Sequence, residues 1–172
     1  MNDFSNFNFI SSYEIARGCD VVYSELVTPE EFQKLNLKNY YIISNIDKQI
    51  FYKLKSIKLI ENNTIFTNLS CVKSLFRLLD KVDLKNIKLI TAQSDEPIDY
   101  KLFRNKPECV SEWFSVNINI NQPELKAIPL GISNKYSKKN LLKVNYIDYF
   151  KDNKIIEKEN LLYVNFQINT ND

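Results

Sequence analysis

Residues 64–92 read TIFTNLSCVKSLFRLLDKVDLKNIKLITA, and this stretch changes its period twice. After the turn-forming pair Asn62-Asn63, Thr64 to Thr67 is a short β-prone run. From there the apolar residues Leu69, Val72, Leu75, Phe76, Leu79 and Val82 recur at intervals of three and four, the stripe of an amphipathic helix. Residues 85–92, KNIKLITA, return to an apolar run of strand length. Strand, helix and strand in that order form a βαβ unit, whose strands lie parallel. The unit predicts an α/β fold with a mostly parallel sheet flanked by helices.

Working upstream, CDVVYS at 19–24 reads as a short strand. Thr28 then offers an N-cap, with Pro29 at the first helical position and Glu31 completing a capping box, so a helix is expected to about Leu37. YYIIS at 40–44 is a strand. Residues 48–60 carry apolar side chains at 50, 51, 54, 57 and 60, which predicts a helix. Residues 1–18 are polar and aromatic, and are expected to be irregular or peripheral.

Downstream, QSDEPI at 93–98 is a polar connection leaving the carboxyl end of a strand. A short helix or loop at 100–106 stops at Pro107. Strands are expected at 112–117 and 125–130, with Gly131 directly after the second, where close backbone approach or a positive φ suits glycine alone. Residues 141–150 read as a helix, 151–160 as a charged linker and 161–166 as a further strand.

The chain has 172 residues, enough for one domain with a sizeable core. Its 23 basic and 21 acidic residues are nearly balanced, which gives no case for a nucleic-acid partner. No histidine is present, so a histidine base, a Ser-His-Asp triad and a histidine-bound metal are excluded. Only two glycines occur, which excludes the glycine-rich loops of dinucleotide and P-loop nucleotide binding. The three cysteines form no C-x-x-C pair and read as reduced thiols. No apolar run is long enough to span a bilayer, and the amino terminus lacks signal-peptide features. These features together predict a cytoplasmic location, and no cofactor is expected.

Asp95 is the leading site candidate. A carboxylate just past a parallel strand can accept hydrogen bonds from sugar hydroxyls or act as a general base, or it can cap a turn together with Ser94. Trp113 can stack on a sugar ring or fill the core. Asn117 and Asn119 offer amides that match hydroxyl groups, in an alternation that a half-buried strand also shows. Gly131, Ser133 and Asn134 form either a ligand-contacting junction or a tight turn.

These blocks resemble a family of exostosin-like glycosyltransferases of bacteria, phages and giant viruses. The resemblance rests on ITAQSD at 90–95 with Pro97 and Ile98, on Trp113-Phe114 with Asn117, on IPLGI at 128–132 with Asn134, and on LLYVNFQINT at 161–170. Gln93 stands where the family pattern has Asn. The resemblance implies a Rossmann-like lobe, similar to the amino-terminal, acceptor-side lobe of a GT-B enzyme, over residues 1–160 with 1–18 peripheral. It also implies that 161–172 is the first strand of an absent or truncated second lobe. Asp95 would then be the catalytic or acceptor-orienting carboxylate, with Ser94, Trp113, Asn117, Gly131 and Asn134 contacting a glycan acceptor. A nucleotide sugar would bind only if a second lobe were supplied, and strand 161–166 would favour self-association. The competing expectation is a non-catalytic carbohydrate-binding or interaction domain. A small hydrolase is disfavoured because no nucleophile-base pair is evident.

Overall fold

A computed structural model describes residues 11–129 of the chain. In chain order its elements are α1 (Ser12–Arg17), β1 (Val21–Val27), α2 (Pro29–Lys34), β2 (Tyr40–Ile46), β3 (Gln49–Leu54), β4 (Thr64–Asn68), α3 (Val72–Leu79), β5 (Ile87–Ala92), α4 (Tyr100–Phe103), β6 (Val110–Ser115) and β7 (Leu125–Ala127). The strands form one seven-stranded sheet in the order β2-β3-β1-β4-β5-β6-β7. From β1 to β7 every pairing is parallel, whereas β3 runs antiparallel to both β1 and β2. The protein is therefore α/β, with a mostly parallel mixed sheet flanked by helices.

The βαβ unit forms as its period requires. β4 and β5 pair from Thr64 opposite Lys88 to Asn68 opposite Ala92. Between them a 3-10 turn (Leu69–Cys71) leads into α3, and the Asn68 side chain accepts from the Ser70 N–H at its start. Val72, Leu75, Phe76 and Leu79 form the buried stripe. They pack with Ile65, Leu89 and Trp113 in the largest core cluster. Val82 falls beyond the end of α3 and is 40% exposed.

Helices cover both faces. α3 and α4 lie on the face of Ile65, Leu89 and Trp113. On the other face Ala16 of α1 packs on Phe66 and Ala92, and Phe32 of α2 packs against Val27, Ile50 and Tyr52. At α2 the expected N-cap forms, since the Thr28 hydroxyl accepts from the Glu31 N–H at 3.2 Å, while the Glu31 carboxylate accepts from the Tyr13 hydroxyl and the helix ends at Lys34, short of Leu37.

Two local expectations are corrected. Residues 12–17 form α1, with the Ser11 side chain as its N-cap, so this part of the first 18 residues is regular. Residues 48–60 hold no helix: β3 occupies 49–54 and pairs with β2 as a hairpin. Its turn is Asp47-Lys48, with φ of 52° and 62°, the left-handed geometry that matches strand twist. The alternation Ile50, Tyr52, Leu54 was masked because Phe51, on the opposite face, is also apolar. The predicted helix at 141–150, linker at 151–160 and strand at 161–166 lie outside the described residues. So do the two-part division at 160/161 and most of the peripheral amino terminus.

Candidate functional site

Because β1 and β4 to β7 run parallel, their carboxyl ends share one edge, where α/β proteins place ligand contacts. A polar network holds this edge. The Ser24 and Thr67 hydroxyls meet at 2.8 Å inside the sheet, and Ser24 Oγ also accepts from the Asn68 N–H at 3.1 Å. Asn68 Nδ2 donates to the Gln93 carbonyl at 2.8 Å.

Gln93 is the centre of this network. Its backbone adopts φ 59°, turning the chain sharply as it leaves β5. Its side chain reaches past the end of β4 to β1, accepting from the Leu26 N–H at 2.9 Å and donating to the Leu26 carbonyl at 3.1 Å. One side-chain amide thus satisfies a backbone donor and acceptor as a neighbouring strand would. The longer side chain at this position is what spans the distance.

The following loop is tied on its far side too. Asn117 Nδ2 donates to the Ser94 carbonyl at 2.9 Å. The Asn117 carbonyl accepts from the Ile98 N–H, and the Ile98 carbonyl accepts from the Asn119 N–H, both at 3.1 Å. Ser94 Oγ accepts from the Glu96 N–H at 3.2 Å, a local turn bond. Asp95 sits exposed at the apex of this pinned loop. Ser94 and Asn117 therefore hold the loop that presents Asp95.

Of the two roles open to Trp113 the structure shows the core one, and not the acceptor contact that the resemblance implies. The indole is fully buried, with Phe76 edge-on at 5.4 Å and Phe103 stacked at 6.3 Å. Its Nε1 donates to Thr91 Oγ1 at 2.9 Å, and that hydroxyl bonds to Ser115 Oγ at 2.9 Å. No ring face remains for a sugar, so Trp113 belongs to the core and not to a binding surface. Gly131, Ser133 and Asn134 lie outside the described residues.

Beside the Asp95 loop runs a groove of about 350 Å³ between the start of α3 and α4. Its polar lining is Ser70, Lys73, Glu96, Asp99, Lys101 and Asn105, over a floor that includes Leu69, Val72 and Leu102. Asp99 is held in place by capping α4, its carboxylate accepting from the Leu102 N–H at 2.7 Å. Sequence reading missed this groove because its residues come from two separate connections. The one available signal was Asp99 standing as an N-cap before residue 100.

A second charged cluster lies under α1 and α2. Glu25 of β1 is fully buried, pairs with Arg17 of α1, and accepts a long hydrogen bond from the Tyr52 hydroxyl at 3.4 Å. Burial pushes its carboxyl up to about 7, and the Arg17 charge pulls against that rise. Tyr13 donates to Glu31 of α2 beside it, and burial together with that carboxylate raises the phenol to about 12. The Arg17 guanidinium also lies over the Tyr13 ring at 4.8 Å. A glutamate inside the apolar run VVYSELV was the sequence signal for this cluster.

All three cysteines are free, and burial raises each thiol, so none is poised as a thiolate nucleophile. Among the described residues no group of His, Cys, Asp or Glu is arranged to hold a metal ion, and no helix is long and apolar enough to cross a membrane. No protein-family model, curated protein or solved structure matches the chain.

Proposed function

We propose that the chain is the acceptor-binding half of a glycosyltransferase, a Rossmann-like lobe of GT-B type with exostosin-like character. The observation that carries this reading is Asp95: an exposed carboxylate on a loop pinned from both sides, past the end of the middle parallel strand and next to a polar groove. The groove mixes donors and acceptors over an apolar floor, the combination that suits a hydroxyl-rich ligand with apolar C–H faces.

In the reaction an acceptor hydroxyl oxygen forms a bond to the anomeric carbon of a nucleotide sugar. The bond from that carbon to the diphosphate oxygen breaks, and the hydroxyl proton passes to Asp95. The nucleotide sugar is held by a second lobe, and this chain orients the acceptor. Titration calorimetry with neutral di- and trisaccharides tests the reading. Binding that weakens at least tenfold in Asp95→Ala supports it, whereas equal binding by both proteins removes Asp95 from the site.

One observation favours a second reading, a carbohydrate-binding domain without catalysis. Asn68 and Gln93 spend their side-chain donors and acceptors on the fold and Asn117 spends its Nδ2 donor there, so these amides hold the Asp95 loop in shape and do not orient a reacting group beside Asp95. Sugar transfer on adding a nucleotide-sugar-binding lobe separates the two, because the binding domain predicts none.

A further inference from the structure

The ion pair under α1 is one-sided. A guanidinium can meet a carboxylate through two parallel hydrogen bonds. Here only Arg17 Nη2 reaches Glu25, at Oε2. The other two facing atoms, Arg17 Nε and Glu25 Oε1, are buried and have no hydrogen-bond partner among the described residues. Glu25 is 0% exposed, whereas α1, which carries Arg17, is a helix of six residues. Ala16 is its one buried apolar side chain, packed on Phe66 and Ala92, with Ile15 and Tyr13 partly buried beside it.

We propose that α1 is a proton-sensitive strap over β1, seated while Glu25 holds its proton and released more readily once Glu25 ionises. A buried carboxylate is stable when donors meet its oxygens, and in the seated state Oε1 meets none. The groups that face Glu25 do not make up for this. Arg17 of α1 favours the ionised form, and the Tyr52 hydroxyl of β3 reaches it only at 3.4 Å. Glu31 of α2 opposes a second negative charge nearby. Tyr13 of α1, Cys19 just after it and Tyr52 are each held neutral by burial.

Burial outweighs the Arg17 charge and holds the seated carboxyl up at about 7, and release of α1 returns it to water and to its ordinary 4.5. Between those values the seated state binds the extra proton. Its contribution to seating is complete below 4.5 and is lost as pH rises through about 7. Ser12, at the start of α1, accepts a long hydrogen bond from Gln93 Nε2 at 3.5 Å. Release therefore also removes a contact from the amide that holds the Asp95 loop. The inference does not depend on the sugar-transfer reading.

Amide hydrogen exchange of the full chain, expressed as protection factors at pH 6 and pH 8, tests it. The reporters are the Ile15 and Gly18 N–H groups, which donate to the Ser11 and Glu14 carbonyls. Their protection is expected to fall about tenfold over that range, the linkage expected for a carboxyl moving between 4.5 and about 7. At both pH values it is expected to lie below that of Leu89 in the sheet, which marks release of α1 ahead of global unfolding. Glu25→Gln keeps the size of the side chain and cannot ionise, and is expected to abolish the pH dependence. Unchanged protection in the unaltered chain, an equal fall in Glu25→Gln, or α1 amides as protected as Leu89 overturns the inference. A second measurement needs no variant and follows the Glu25 carboxyl carbon by NMR. A titration midpoint near 7 is expected, and one near 4.5 overturns the inference.

Discussion

On the side of the sheet packed by α3 and α4, successive parallel strands present Ile65, Leu89 and Trp113, all fully buried. On the opposite side the same strands present Phe66, Ile90 and Phe114, and between these apolar residues a charged ladder crosses the sheet. Lys88 and Lys126 both pair with Glu112, linking β5, β6 and β7, and the Lys126 ammonium also lies 5.6 Å from the centre of the Phe114 ring. Parallel sheets are ordinarily apolar on both faces. This one puts its largest apolar cluster on one face, and on the other it combines smaller apolar clusters with charged side chains, either inserted deep, as Glu25 is, or spread along the surface. Fold stability should therefore depend chiefly on the α3/α4 face, and pH sensitivity on the α1/α2 face.

Replacing Trp113 by Ala attacks the apolar face most directly and should have the largest effect, about 3–5 kcal/mol in chemical denaturation. It removes contacts with Phe76 and Phe103 and leaves Thr91 without its indole donor. Phe114→Ala, one residue on and on the other face, should cost clearly less. Equal losses would mean that the two faces contribute alike.

At pH 8, where the Glu25 carboxyl is ionised, Glu25→Ala should come next, at about 3 kcal/mol, because it leaves Arg17 partly buried without its counterion. The loss is held to that level because the Arg17 side chain is 28% exposed and can turn toward water. The double variant Glu25→Leu, Arg17→Met should recover most of it, since buried ion pairs are often replaceable by apolar groups.

The pH dependence follows from the raised carboxyl of Glu25. In the fold it holds its proton up to about pH 7, against an ordinary value of 4.5 when unfolded. Between those values the folded state binds the extra proton. Its stabilising contribution is complete below the lower value and is lost as pH rises through the higher one. The unfolding midpoint should therefore fall between about pH 5 and about pH 8, and Glu25→Gln should flatten that slope. Glu112 acts in the opposite sense. Its hydrogen bond from Lys126 lowers its carboxyl, so its contribution is present above 4.5 and lost as pH falls further.

Gln93→Asn should cost about 1–3 kcal/mol, because the shorter amide cannot reach the Leu26 backbone and both of that residue's groups lose a partner. Amide exchange should then quicken at Leu26 and not in α3. The smallest effect is expected from Lys126→Ala, which trims the exposed ladder and should leave the unfolding midpoint where it is. A measurable drop there would show that the charged face contributes more than surface pairs do.

The βαβ unit was legible because Leu69, Val72, Leu75, Phe76 and Leu79 have one periodicity and the flanking strands another. The capping at Thr28 was legible because it is a local signature. β3 was misread because Phe51 filled the position that would have marked it as alternating, and the turn at Asp47-Lys48 contains no glycine. The placement of Trp113 was open, since burial depends on Phe76 and Phe103 arriving from other elements. Gln93 and Glu25 depend on contacts with Leu26 and Arg17, which a linear reading does not show. Asp95 was singled out as a candidate from its place after a strand, and the groove beside it required two connections to meet in space.

The central claim is that the carboxyl edge around Asp95 receives an acceptor glycan, and amide NMR of the full chain tests it most directly. On titration with a neutral trisaccharide, the amide signals of Ser70, Lys73, Glu96 and Asp99 should move together and saturate, and Asp95→Ala should weaken that response. Signals that stay in place at this edge, or that move only along β2 and β3, would contradict the claim.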